Sequence, residues 1–227
     1  MLPNRLHELR DPSSWDGKLV HYVPYVGENY SDGLINGVRL LLVGESHYED
    51  AGLPLEESRL FTLNNFGDYV DPSYNPANDK TFFKRVGQLP TLKEDPSPEQ
   101  VADVWRRIAF TNFLQRSVGK QAADRPTSEH WKSGEPALRE IVNRLKPDAV
   151  LFLSASVWNR VWYGKESPAA PIPAMRRDRR LWLLPHGAGE ALSTWVYHPS
   201  WNYETQASRR EVLSELLRLA ERNKHQQ

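Results

Sequence analysis

The sequence predicts an α/β fold, a three-layer α/β/α sandwich around a central, mostly parallel sheet of four to five strands. Three observations predict it. Residues 38–43, 107–113 and 148–153 are short and almost continuously apolar, as strands buried on both faces are. Segments with helical spacing fall between them, and alternating strands and helices imply parallel pairing with helices on both faces. Polar residues crowd the ends of the runs, where open α/β sheets place their ligands.

Taken in order, residues 1–35 are polar and aromatic with turn signals at Asp11-Pro12 and Ser31-Asp32-Gly33, and are expected to hold one short helix and wrap the core. The first strand, 38–43, is bounded by Gly37 and Gly44. Residues 49–80 carry Gly52, Pro54, Gly67, Pro72 and Pro76 among several Asn and Asp, which predicts a long loop with little regular structure lining a site. A short helix over 99–107 leads into the second strand. Residues 135–145 have helical spacing with Pro136 near the start, and Lys146-Pro147 stops them just before the third strand. Residues 154–163 read as a helix, 181–184 and 194–197 as further strands, and 208–222 as an amphipathic helix carrying Val212, Leu213, Leu216, Leu217 and Leu219. No internal repeat is visible; residues 1–227 read as one domain, with only 223–227 expected to be a disordered tail.

Composition bounds the function classes. A chain of 227 residues, 39% hydrophobic with eight Trp, is long enough to bury a sizeable core. No apolar stretch approaches about 18 residues, and Met1-Leu2-Pro3-Asn4-Arg5 lacks the charged-then-apolar order of a signal peptide, so the expectation is a cytoplasmic protein without membrane contact. The absence of cysteine excludes disulfides, Cys-ligated iron–sulfur clusters and Cys-type zinc sites. Twenty-nine basic and 29 acidic side chains cancel, so any nucleic-acid binding must use a local basic surface.

Two polar clusters follow strands far apart in sequence, Gly44-Glu45-Ser46-His47-Tyr48 within "LLVGESHYED" and His198-Pro199-Ser200; Thr111-Asn112 is a third. In a parallel sheet all three ends point the same way, so they are expected to converge on one crevice.

This pattern resembles the uracil-DNA glycosylase superfamily, whose members carry a strand followed by a motif such as GQDPY, GEAPG or GMNPG, a central strand ending in Asn, and a late HPS motif. The resemblance covers the order and spacing of elements over residues 38–205, with "RLKPDAVLFLSA" between the second and third motifs. It implies a glycosylase that needs no cofactor or metal, acts as a monomer, and hydrolyses the N-glycosidic bond of a base flipped out of DNA. Breaking that bond passes through an oxocarbenium-like sugar and a departing anionic base, so negative charge is needed near the first and donors near the second. The base must also leave the stack.

Glu45 is the candidate to orient water or stabilise the sugar cation, with His47 as a possible helper, and His198 the candidate donor to the leaving base. Asn112 offers the donor and acceptor that read a pyrimidine edge. By resemblance Tyr48 walls the pocket beside Ser46, Phe61 or Phe66 stacks on the base, and the loop Ser200, Trp201, Asn202 and Tyr203 fills the gap in the duplex. Arg176 and Arg177, in a run with Arg179 and Arg180, suit backbone phosphates. Ser46 replaces the water-activating Asp of the most active uracil enzymes and His47 the usual Pro, so the base excised is uracil or another one, including a modified cytosine of phage DNA; both repair and antiviral defence fit. The cysteine-free chain lacks the iron–sulfur cluster of the GEAPG branch.

Three other readings compete with this one. A serine hydrolase would need glycine two places after Ser46, where Tyr48 stands. A metal-dependent hydrolase from His47, Asp50, His186 and His198 lacks any H-x-E or H-E-x-x-H spacing. A catalytically silent module that keeps the fold and binds DNA or a damaged base is favoured by Ser46 alone.

Overall fold

The computed structural model describes residues 8–16, 19–47, 55–71, 73, 81–119, 124–162 and 181–225. The elements in chain order are β1 (Tyr25–Val26), β2 (Leu40–Gly44), α1 (Leu55–Arg59), α2 (Phe61–Phe66), α3 (Thr81–Gln88), α4 (Pro98–Trp105), β3 (Ile108–Asn112), α5 (Ser128–Leu145), β4 (Ala149–Phe152), α6 (Ala155–Trp162), β5 (Trp182–His186), β6 (Gly189–Trp195) and α7 (Gln206–Lys224). One six-stranded sheet has the order β1-β3-β2-β4-β6-β5. Its four central strands are parallel, while β1 on β3 and β5 on β6 run antiparallel.

The continuous apolar runs have the physical cause expected. Every residue of β2, β3 and β4 is buried, because helices cover both faces of the sheet. On one face Leu41, Val43, Val150 and Phe152 pack with Ala137, Leu138 and Ile141 of α5 and Val157 and Trp158 of α6. On the other, Leu40, Leu42, Phe110 and Leu151 pack with Phe66, Val86 and Trp105 of α2, α3 and α4 and with Val212, Leu213 and Leu216 of α7.

Several expectations are corrected. The sheet has six strands, not four or five, because β1 is only two residues long and leaves no periodicity to read. Beyond the helical residue Glu8, the described part of segment 1–35 adds what the single expected helix did not include, 3₁₀ turns at Pro12–Trp15 and Tyr30–Asp32 and the strand β1. The span 49–80 is not one loop: α1, α2 and a 3₁₀ turn at Gly67–Val70 occupy its described part. Its breakers separate short helices, and buried Thr62, Phe66 and Tyr69 recur at helical spacing. Helix α5 begins well before Pro136, since Thr127 and His130 form a capping box in which histidine replaces the usual Glu or Gln. Lys146 then ends it with a left-handed φ of 49°. Helix α7 runs through Lys224, whose ammonium donates to the Gly37 carbonyl at 2.6 Å, so the expected disordered tail is helical for two residues. β5 and β6 form an antiparallel hairpin at the edge of the mostly parallel sheet, His186 pairing with Gly189, and β6 runs from Gly189 to Trp195 where a strand over 194–197 was expected.

Candidate active site

The parallel register places the carboxyl ends of β2, β3, β4 and β6 on one rim. Gly44 pairs with Asn112, and Val43, Phe152 and Trp195 lie in one row across β2, β4 and β6. From β2 the chain goes to β3 on one side, and from β4 to β6 on the other. The rim between β2 and β4 is therefore the switch point of the sheet, where such folds hold ligands. Glu45 follows β2, Asn112 ends β3, Ser154 follows β4 and His198 follows β6. At a strand spacing of about 4.8 Å, roughly 10 Å of rim separates the strands that carry Glu45 and His198.

Glu45 is held at the switch point. The Ser154 hydroxyl donates to its carboxylate at 2.5 Å and accepts from the amides of Ser156 at 3.2 Å and Val157 at 3.5 Å. Ser154 thus caps α6 and ties the carboxylate to the positive end of that helix. Leu114 N–H continues the ladder to the Glu45 carbonyl, which fixes the main chain beneath.

Asn112 is 3% exposed, and its Oδ1 is buried without a hydrogen-bond partner. Leaving such an acceptor unpaired costs about 1–3 kcal/mol, so it calls for a reason. Its amide occupies the space over Gly44, where a Cβ would lie 2.1 Å from Asn112 Oδ1 and 3.0 Å from the Phe110 ring. The side chain of Gln115 donates to the Asn112 carbonyl and accepts from the amides of His21 and Tyr22, pinning the end of β3.

His198 is shifted toward its uncharged form. Burial, with the positive charge of Arg209 beside it, lowers its pKa to about 4. Its Nδ1 accepts from Ser200 N–H at 3.3 Å, so the ring proton sits on Nε2. The ring stacks on Phe82, with centroids 5.0 Å apart and planes at 23°. The turn beyond it presents Trp201, 47% exposed, and Tyr203, 75% exposed, with Ser200 and Asn202 also at the surface.

Other expected residues take different places. His47 is 5% exposed, bonds to Thr62 Oγ1 at 2.8 Å, and meets the rings of Tyr22 and Phe61 edge-on. Burial lowers its pKa to about 3. It anchors the first motif onto α2 and is enclosed away from water, which corrects its expected role as a helper to Glu45. Phe66 is 1% exposed and packed on Trp105 and Phe110, so it is core and does not serve as a stacking platform. Phe61 is half-buried against His47, and Ser46 is half-buried between Glu45 and His47. Tyr48, Arg176 and Arg177 lie outside the described residues. Among the described residues no group of three or more His, Cys, Asp or Glu could hold a metal, and no helix is long and apolar enough to cross a membrane.

Sequence reasoning missed Ser154, Phe82, Arg85, Glu204 and Arg209. Ser154 was legible as a serine between a strand and a helix, the usual N-cap position. Arg209 was legible as a charge on the apolar stripe of α7, three and four residues before Val212 and Leu213. Phe82 and Arg85 carry no such local sign.

An open groove of about 890 Å³ lies elsewhere, lined by Glu8, Ser14, Leu19, Pro136, Arg139 and Glu140 among others. Its polar groups are engaged internally: Glu140 accepts from Leu19 N–H, and nearby Arg144 lies over the Trp15 ring and donates to the Ser14 carbonyl.

No protein-family model matches this chain, and no curated protein matches its sequence.

Proposed function

We propose that this protein is a monofunctional DNA glycosylase with a uracil-DNA glycosylase-like fold, hydrolysing the N-glycosidic bond of a flipped base and leaving an abasic site. The observation that supports the reading is that one carboxylate, one buried amide whose oxygen has no partner and one imidazole with a lowered pKa follow or end strands at the same rim of the parallel sheet. Asn112 supplies an acceptor with no protein partner, suited to the N–H edge of an extruded base. His198 donates its Nε2–H to the base oxygen that gathers the leaving-group charge, a role a neutral imidazole fills without losing a proton. Glu45, kept in place by Ser154, offers negative charge to the developing sugar cation or orients the attacking water. The bond between the anomeric carbon and the base nitrogen breaks, its electron pair leaves with the base, and water adds to the anomeric carbon, its proton passing to the Glu45 carboxylate or to the departing base anion. No lysine is assigned to this set, so no lyase step follows.

Uracil and modified cytosines are both within the reading. Oligonucleotides containing uracil, hypoxanthine, hydroxymethylcytosine and its glucosylated form, followed by alkaline cleavage at abasic sites, test it directly. At least one lane is expected to break, in chelator as well as without it. If all lanes and modified phage DNA stay intact, the activity is refuted. A silent DNA-binding module is the second reading, favoured by Ser46 in place of an acid and by the engagement of Glu45 with Ser154. Activity lost on Glu45→Gln and on His198→Ala would exclude it.

A further inference from the structure

The turn from Tyr197 to Tyr203 is gripped by two guanidiniums from different helices. Arg209 of α7 donates through Nε to the Tyr197 carbonyl at 3.2 Å and through Nη2 to the carbonyls of His198 at 3.3 Å and Trp201 at 2.9 Å. Its Nη1 donates to Gln206 Oε1 at 3.2 Å. Arg85 of α3 donates to the same turn, to the Pro199 carbonyl at 2.6 Å and to Asn202 Oδ1 at 3.2 Å. Arg209 and Glu204 form an ion pair at 3.8 Å with both side chains 1% exposed. Glu204 also accepts from Tyr197 N–H and from the Ser208 hydroxyl, each at 3.0 Å.

A fully buried ion pair is a poor device for stability alone, because well-packed apolar residues of the same volume often do as well. Its bonds here go mainly to carbonyls of the turn. The geometry serves conformation: a planar fork with five fixed donors spans main-chain oxygens spread along the turn, which a compact ammonium does not.

We propose that Arg209, neutralised by Glu204, is a positioning residue that pre-forms the Tyr197–Tyr203 turn, setting the His198 ring against Phe82 and holding Trp201 and Tyr203 outward before any ligand arrives. The glycosylase reading enters only in what the turn is held for, namely contact with DNA at the rim. A pre-formed turn spares the ordering cost that a mobile aromatic loop would meet on binding.

The test compares Arg209→Lys and the doubly uncharged Arg209→Met/Glu204→Gln, which leaves no buried charge unpaired, with Leu216→Ala, which loosens α7 away from the turn. Amide hydrogen exchange is followed at Trp201, whose N–H bonds to the His198 carbonyl at 2.9 Å, and at Leu41 and Val150 in the core. Both Arg209 variants are expected to speed exchange at Trp201 about tenfold more than at the core amides, the loss of one or two carbonyl bonds. Leu216→Ala is expected to raise all sites together. Binding of a duplex carrying a stable abasic-site analogue is expected to weaken about tenfold in the Arg209 variants. If Trp201 tracks the core amides in every variant, Arg209 only stabilises the fold and the proposal is overturned. Selective loosening of the turn with unchanged duplex affinity overturns its DNA role. If the wild-type protein binds neither this duplex nor its single strand while the turn still loosens selectively, the glycosylase reading fails and the positioning of the turn stands.

Discussion

Gly44→Ala puts a methyl group where the Asn112 amide now lies. The new Cβ would sit 2.1 Å from Oδ1, 3.0 Å from the Phe110 ring and 3.3 Å from Asn112 Cγ, against the 3.4 Å at which ordinary contact begins. Phe110 is fully buried and packed on Phe66, so it cannot yield, and the amide must move by more than an ångström. Overpacking of this kind costs about 1–3 kcal/mol, and each kcal/mol lowers Tm by about 2–4 °C in a chain of this size. Displacing a substrate-contacting group by about 1 Å costs on the order of 100-fold in rate. Asn112→Ala, by contrast, removes a buried acceptor that has no partner, so folding is expected to be unchanged or firmer while base release is lost. In Gly44→Ala/Asn112→Ala the collision with the amide is gone and only the 3.0 Å approach to Phe110 remains, so part of the lost stability is expected to return without activity, a coupling of about 0.5–3 kcal/mol. Thermal melts of the four proteins with single-turnover base release would measure this. Wild-type melting and wild-type release in Gly44→Ala would refute the account of why glycine stands there.

Ser154→Ala removes the donor to Glu45 and the cap of α6 together, so a loss of about 0.5–2 kcal/mol in urea unfolding is expected alongside slower base release; full activity at lower stability would detach Ser154 from the site. His198→Ala is expected to raise the barrier by about 2.7–4 kcal/mol with substrate affinity little changed, read from kcat and KM separately. Stability should fall as the solution is acidified. His47 has a folded pKa of about 3 against an ordinary 6.5, so below about pH 6.5 the unfolded chain binds the extra proton and the contribution is progressively lost. At pH 5 this amounts to about 2 kcal/mol, and His198, also lowered, acts in the same direction. Urea midpoints from pH 7.5 to 5 should show a shallower slope for His47→Asn, and equal slopes would contradict the burial of that ring.

Three of the rim strands, β2, β3 and β4, were legible in the sequence because burial on both faces leaves a local mark, an apolar run that ends in polar residues; β6, Gly189–Trp195, carries Glu190, Ser193 and Thr194 and was anticipated only in its last two residues. Glu45, Asn112 and His198 could be named on that basis, since parallel strands point their carboxyl ends the same way. Register, however, is a property of pairs of strands. Only the fold pairs Gly44 with Asn112, and only there does the glycine become a requirement of its neighbour's amide. His47 looked like chemistry because it stands two residues from Glu45, yet beyond the end of β2 the packing of α2 turns it inward to Thr62. Phe66 likewise looked available until the sheet closed over it. Local sequence carries the signal of what each segment prefers to bury. Which carbonyls Arg209 reaches, and which hydroxyl restrains Glu45, depends on groups brought together from distant segments, a choice made by long-range packing and invisible to any window along the chain.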